Sequence, residues 1–119
     1  RPDVDPTRIR AIARGVKGIW LLLAAAADPR LQAIWLDRTP ASYRSVFHRP
    51  LGQFLFDGLL PGFLLRWDLP DLKSLIHPRP VLWSDPASWM NDVIPLPGDF
   101  RYRHVAEPDA PLIDEFLRR

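Results

Sequence analysis

The sequence predicts an α/β fold, three layers deep, with about four parallel strands flanked by helices. Gln32–Asp37 is a short, nearly continuous apolar run, the pattern of a strand buried on both faces of a parallel sheet. Pro80–Ser84 reads as a further short strand after a helical stretch, as a crossover between parallel strands requires. The 14 prolines cut the rest into short elements and leave no room for long helices.

In chain order, Thr7–Ala13 sets Ile9, Ala11 and Ala13 against Arg8 and Arg10 and reads as the first strand. The tight connection Arg14-Gly15-Val16-Lys17-Gly18 opens a helix that runs through Ile19–Ala27 and stops at Asp28-Pro29. That helix is apolar on every side beyond Lys17, so protein is expected to cover it all round, with Trp20 in the core. Gln32–Asp37 is the second strand. Ala41–Phe47 reads as a short helix, and Leu51–Trp67 as helical pieces broken at Pro61-Gly62. Asp68–Ile76 is a further helix, with Asp68 as N-cap and Pro70 in its first turn. Pro80–Ser84 is the third strand and Phe100–Val105 a fourth, more exposed one. The last helix, Asp109–Arg119, gathers Leu112, Ile113, Phe116 and Leu117 on one face, with Asp114 and Arg118 paired on the other.

Composition narrows the function classes. A chain of 119 residues, 47% apolar and 25% charged, is one globular domain's worth. The absence of cysteine removes disulfides, thiol nucleophiles and thiolate metal sites. His48, His77 and His104 lack metal-ligand spacing, so neither metal nor cofactor is expected. The net charge is only +2 and the basic residues alternate with Asp, which argues against a nucleic-acid partner. The longest apolar run, Ile19–Ala27, has nine residues and cannot cross a bilayer. The N-terminus carries neither a starting Met nor a signal peptide, and a piece of a longer polypeptide is expected.

Ligands and catalytic groups of open parallel sheets collect at the carboxyl ends of the strands. Here those ends carry Arg14-Gly15, Asp37-Arg38, Asp85 and His104. Asp3–Ile9 followed by strand, turn, alanine-rich helix and Asp28-Pro29-Arg30 resembles the nucleophile region of acetyl xylan esterase-like and dienelactone hydrolase-like α/β-hydrolases. So do Ala41–Ser45, Leu60-Pro61-Gly62, Asp68–Leu72 and Pro78–Leu82, in that order. The resemblance covers nearly the whole chain and corresponds to the C-terminal half of that fold. It implies a nucleophile after the first strand, an acid after a later one and a histidine after the last.

At the nucleophile position the chain departs from the family. The elbow Gly-x-Ser-x-Gly falls on Ala13–Lys17, so that Gly15 stands where the serine would be and Lys17 where a glycine is usual. Asp85 matches the triad acid, or caps the turn before Ala87–Trp89; His104 matches the base, or is a surface strand histidine. Arg14, Val16, Lys17, Asp37 and Trp89 are the candidate pocket lining, and Arg14–Gly18 could also cradle an anion at a helix N-terminus. Trp35 and Trp83 read as core, whereas Trp67 flanks a loop. Ser42 and Ser45 sit on no strained turn beside a base.

The expectation is a degenerate hydrolase-like domain without esterase activity. Its alternatives are the C-terminal part of an active ester hydrolase and a non-catalytic binding or assembly module. A small ester or carbohydrate is the implied ligand. A homodimer, or other pairing through the exposed edge of the first strand, is the implied partner.

Overall fold

The computed structural model describes residues 2–3, 5–44, 60–87, 101–103 and 110–118. Ile9–Arg14 (β1), Leu31–Asp37 (β2) and Val81–Ser84 (β3) form a small parallel sheet, to which the three residues Arg101–Arg103 (β4) add in sequence order. The register runs Ala11↔Ile34↔Val81, Ala13↔Leu36↔Trp83 and Arg14↔Asp37↔Ser84. An α/β sheet with flanking helices is therefore present, as the sequence predicts. Arg14 belongs to the ladder and not to the turn, and the strand opens two residues later than Thr7.

Lys17–Ala27 (α1) crosses from β1 to β2. Side chains alternate along a strand, so Ile34, Leu36 and Trp83 face one side of the sheet. Ile19, Leu22 and Ala25 of α1 pack there, together with Leu69, Leu72 and Ile76. Trp35 points the other way and meets Phe116 edge-on at 5.6 Å, which places Ala110–Arg118 (α3) on the opposite face. Arg10 fastens that helix by donating to the Phe116 carbonyl at 2.7 Å. Trp35 and Trp83 are fully buried, as expected of core tryptophans.

Two expectations about α1 fail. Trp20 is 52% exposed, and Lys17, Ala24 and Ala27 share its outward face. Among the described residues, the sheet covers one side of this helix and nothing encloses it. A run of Leu and Ala without polar breaks carries no period, so no face was marked as outer.

The segment read as a helix over Asp68–Ile76 divides into a 3₁₀ turn, Leu69–Leu72, and one α turn, Lys73–Ile76 (α2). The Asp71 carboxylate accepts from the Asp68 backbone N–H at 2.7 Å, one arm of a capping box, while the Asp68 side chain, expected as the N-cap acceptor, takes the N–H groups of Leu69 and Tyr43. Before it, Phe63–Leu65 is a single 3₁₀ turn where longer helical pieces were expected, and 51–59 lie outside the described residues. Of the short helix expected over Ala41–Phe47, Tyr43 and Arg44 are 3₁₀-helical, Ala41 and Ser42 precede it, and 45–47 lie outside the described residues. The Ala41 N–H donates to the Ala87 carbonyl at 3.0 Å, and Pro40 bridges Ala87 in parallel.

Arg79 ties the far end of this layer together. Its guanidinium donates to the carbonyls of Ala25, Asp28 and Leu31 at 2.8, 3.1 and 2.7 Å, and its Nε to that of Ile76 at 3.2 Å. The end of α1, the turn into β2 and the end of α2 thus share one side chain.

Candidate functional site at the carboxyl ends of the strands

Three neighbouring strands bend at the same level. Arg14, Asp37 and Ser84 are paired across the sheet, and the residue after each is left-handed: Gly15 at φ 65°, Arg38 at 48° and Asp85 at 43°. An L-residue in this region costs about 1–2 kcal/mol, and such strain concentrates at functional sites. Two hydrogen bonds hold the row, Gly15 N–H to the Asp37 carbonyl and Arg38 N–H to that of Ser84, both at 2.9 Å.

Gly15 turns the chain from strand to helix, with Val16 already in the right-handed region. A Cβ built on Gly15 would meet no heavy atom of the described residues within 4 Å, so among them the position is open at the end of β1. Gly18 is the reverse case. Its missing side chain lets α1 lie against Thr39, whose Oγ1 occupies the space a Cβ would take. The glycine that close packing demands is therefore Gly18, and Lys17 is exposed.

Behind the row lies a buried polar chain. The Trp35 indole N–H donates to Ser84 Oγ at 2.8 Å, and the Ser84 hydroxyl donates to Asp37 Oδ1 at 2.8 Å. The second Asp37 oxygen faces Arg14 Nε at 3.0 Å, off the N–H axis, so this contact is Coulombic and not a hydrogen bond. Asp37 is 2% exposed and Arg14 59%, so the guanidinium brings charge from solvent to a carboxylate that has none. Ser84 was not singled out from the sequence. Its only signal there was a hydroxyl residue ending a tryptophan-bearing strand.

Of the residues expected at the site, Arg14, Gly15, Val16, Lys17 and Asp37 come together at the β1–β2 end, and the buried Asp85 follows the end of β3. His104, Trp89, His48 and Ser45 lie outside the described residues. His77 is exposed in the turn leading into the amino end of β3, away from the bend. Ser42 donates to the Asp68 carboxylate, and Trp67 is partly exposed. Among the described residues no group of three or more acidic or histidine side chains could hold a metal, and no helix is long and apolar enough to cross a membrane.

Gly15→Ser is expected to fold with a loss of about 1 kcal/mol, the cost of a left-handed L-residue without a clash. A urea titration checks this. A loss above about 3 kcal/mol would mean that the bend lacks the open space described.

No family model matches the chain, and no curated protein or solved structure does either.

Proposed function

We propose that this chain is a degenerate α/β-hydrolase-like domain, related to acetyl xylan esterase-type carboxylic ester hydrolases and without esterase activity. The reading is carried by Gly15, a left-handed residue in an open strand-to-helix bend at the carboxyl end of a parallel strand. Acyl transfer through a covalent intermediate needs an oxygen or sulfur nucleophile at that bend, held next to a base. Glycine supplies none. The described serines nearby do not replace it: Ser84 is buried with its proton committed to Asp37, and the Ser42 proton is committed to Asp68. The ligand that goes with this reading is a small ester or carbohydrate at the carboxyl end of β1, beside Arg14 and Val16.

The test is a serine-directed fluorophosphonate probe together with p-nitrophenyl acetate and acetylated xylo-oligosaccharides. No stoichiometric adduct and no turnover above buffer are expected, while the oligosaccharides raise the melting temperature. One equivalent of probe on any side chain overturns the reading and favours an active ester hydrolase.

An assembly role has separate support. β1 is the outermost strand, and among the described residues nothing pairs with its free edge. A six-residue strand with one open edge favours a further strand, from a second copy or from more of the same fold. Light scattering on the isolated chain is expected to show mass rising with concentration, and a monodisperse monomer would count against it.

A further inference from the structure

We infer that a groove beyond the end of β2 binds a small amphiphilic carboxylate, an apolar chain bearing a terminal acid group. The groove has a volume of about 450 Å³ and is walled by Tyr43, Leu60, Phe63, Leu64 and Leu65, with Arg44 at its rim. That volume is in the range of small-molecule sites, which combine apolar walls with a few polar groups that fix orientation. None of these residues belongs to the bend around Gly15, so the inference stands apart from the hydrolase reading.

The walls are built before any ligand arrives. Leu60-Pro61-Gly62-Phe63 is a type II turn: Gly62 sits at φ 76°, ψ −3°, and the Phe63 N–H donates to the Leu60 carbonyl at 3.2 Å. The 3₁₀ turn that follows fixes Leu64 and Leu65, and Phe63 packs edge-on against Tyr43 at 5.6 Å. Burial raises the Tyr43 hydroxyl above its ordinary range, opposed by a backbone hydrogen bond at Leu60, so the base of the groove is neutral at physiological pH. Leu65 is nonetheless 87% exposed and Leu60 45%, an apolar surface that water wets at a cost.

Arg44 decides the charge of the occupant. Its one ionic neighbour among the described residues is Asp68, 3.9 Å away, and the guanidinium is 78% exposed. Asp68 is already satisfied. One carboxylate oxygen accepts from the Tyr43 and Leu69 N–H groups at 2.9 and 2.8 Å, and the other from the Ser42 hydroxyl. The guanidinium fork therefore remains available beside an apolar trough, the geometry that reads a carboxylate in two parallel hydrogen bonds.

Calorimetric titration with octanoate, and with 1-octanol as its uncharged counterpart, tests the assignment on the full chain. Octanoate is expected to bind more tightly than octanol. Arg44→Leu should weaken octanoate about tenfold and leave octanol unchanged, as loss of one charged hydrogen-bonding partner predicts. Leu65→Gln, on an exposed side chain, should weaken both. Equal affinity for acid and alcohol, an Arg44→Leu variant that binds octanoate normally, or no heat at all would overturn the inference.

Discussion

Gly18→Ala is expected to destabilise the chain by about 3 kcal/mol or more, because overpacking a rigid core site costs about that much. Two effects of opposite sign compete at this position. Alanine gains at most about 1 kcal/mol over glycine, the helix-interior value, and Gly18 lies in the first turn of α1. Against this, the new Cβ overlaps Thr39 Oγ1 and stands 2.7 and 2.8 Å from Thr39 Cγ2 and Cβ. Thr39 is fully buried, its carbonyl accepts from the Ala87 N–H and the Trp83 indole, and it cannot step aside without breaking both. The clash wins. Chemical denaturation should show the loss, and a Thr39→Ala background should return at least about 1 kcal/mol of it, the coupling expected of residues in direct contact. Equal losses in both backgrounds would mean that close approach is not what Gly18 provides.

This position also separates two uses of glycine that the sequence presents side by side. In Arg14-Gly15-Val16-Lys17-Gly18 the spacing to Asp28-Pro29 puts Gly15 at the bend, and the left-handed φ there agrees. Nothing local distinguishes Gly18 from a plain helix residue, because the atom that excludes a side chain belongs to Thr39, 21 positions along the chain. β2 and β3 were legible for the opposite reason. A strand buried on both faces is apolar at every position, and that is a local property. The outward face of α1 was not legible, since Trp20 and its neighbours form an unbroken apolar run and only the packing against Leu36 and Trp83 chooses a side.

The candidate site divides along the same line. Its backbone row was readable, since Asp37, Arg38 and Asp85 end apolar strands, although the left-handed turn of Arg38 was not. The chain from Trp35 through Ser84 to Asp37 was invisible, because it joins strands 47 residues apart in sequence through a register that only the folded sheet defines. The resemblance to ester hydrolases drew attention to Gly15 and Asp85. It assigned no role to Ser84 or to Arg44, although Ala41–Ser45 and Leu60-Pro61-Gly62 are among the motifs that carry it.

Arg79→Ala is expected to cost about 3 kcal/mol, because each hydrogen bond from a charged donor contributes about 1.5–3 kcal/mol and the losses at one site are not additive. The Ala25 carbonyl lies in the last turn of α1, where backbone acceptors have no helical partner and the helix dipole is negative. The Asp28 carbonyl belongs to the turn that aims β2, and the Leu31 carbonyl to the first residue of β2 itself. Asp28 cannot take over. An ionised carboxylate only accepts and cannot donate to carbonyls, and the side chain and backbone N–H of Arg30 hold this one ionised, with its pKa down at about 2. With the Arg79 side chain removed, water must reach three carbonyls beneath the end of α1, while the backbone N–H of residue 79 still holds the Ile76 carbonyl at 3.0 Å. A native domain holds only about 5–15 kcal/mol in reserve, so the change consumes a large share of it. Thermal unfolding is expected to shift down by about 10 °C, with Arg79→Lys recovering less than half, since an ammonium cannot span carbonyls that a planar fork reaches together. A lysine variant as stable as the native chain would show that charge alone, and not the geometry of the fork, holds the end of α1 to the turn before β2.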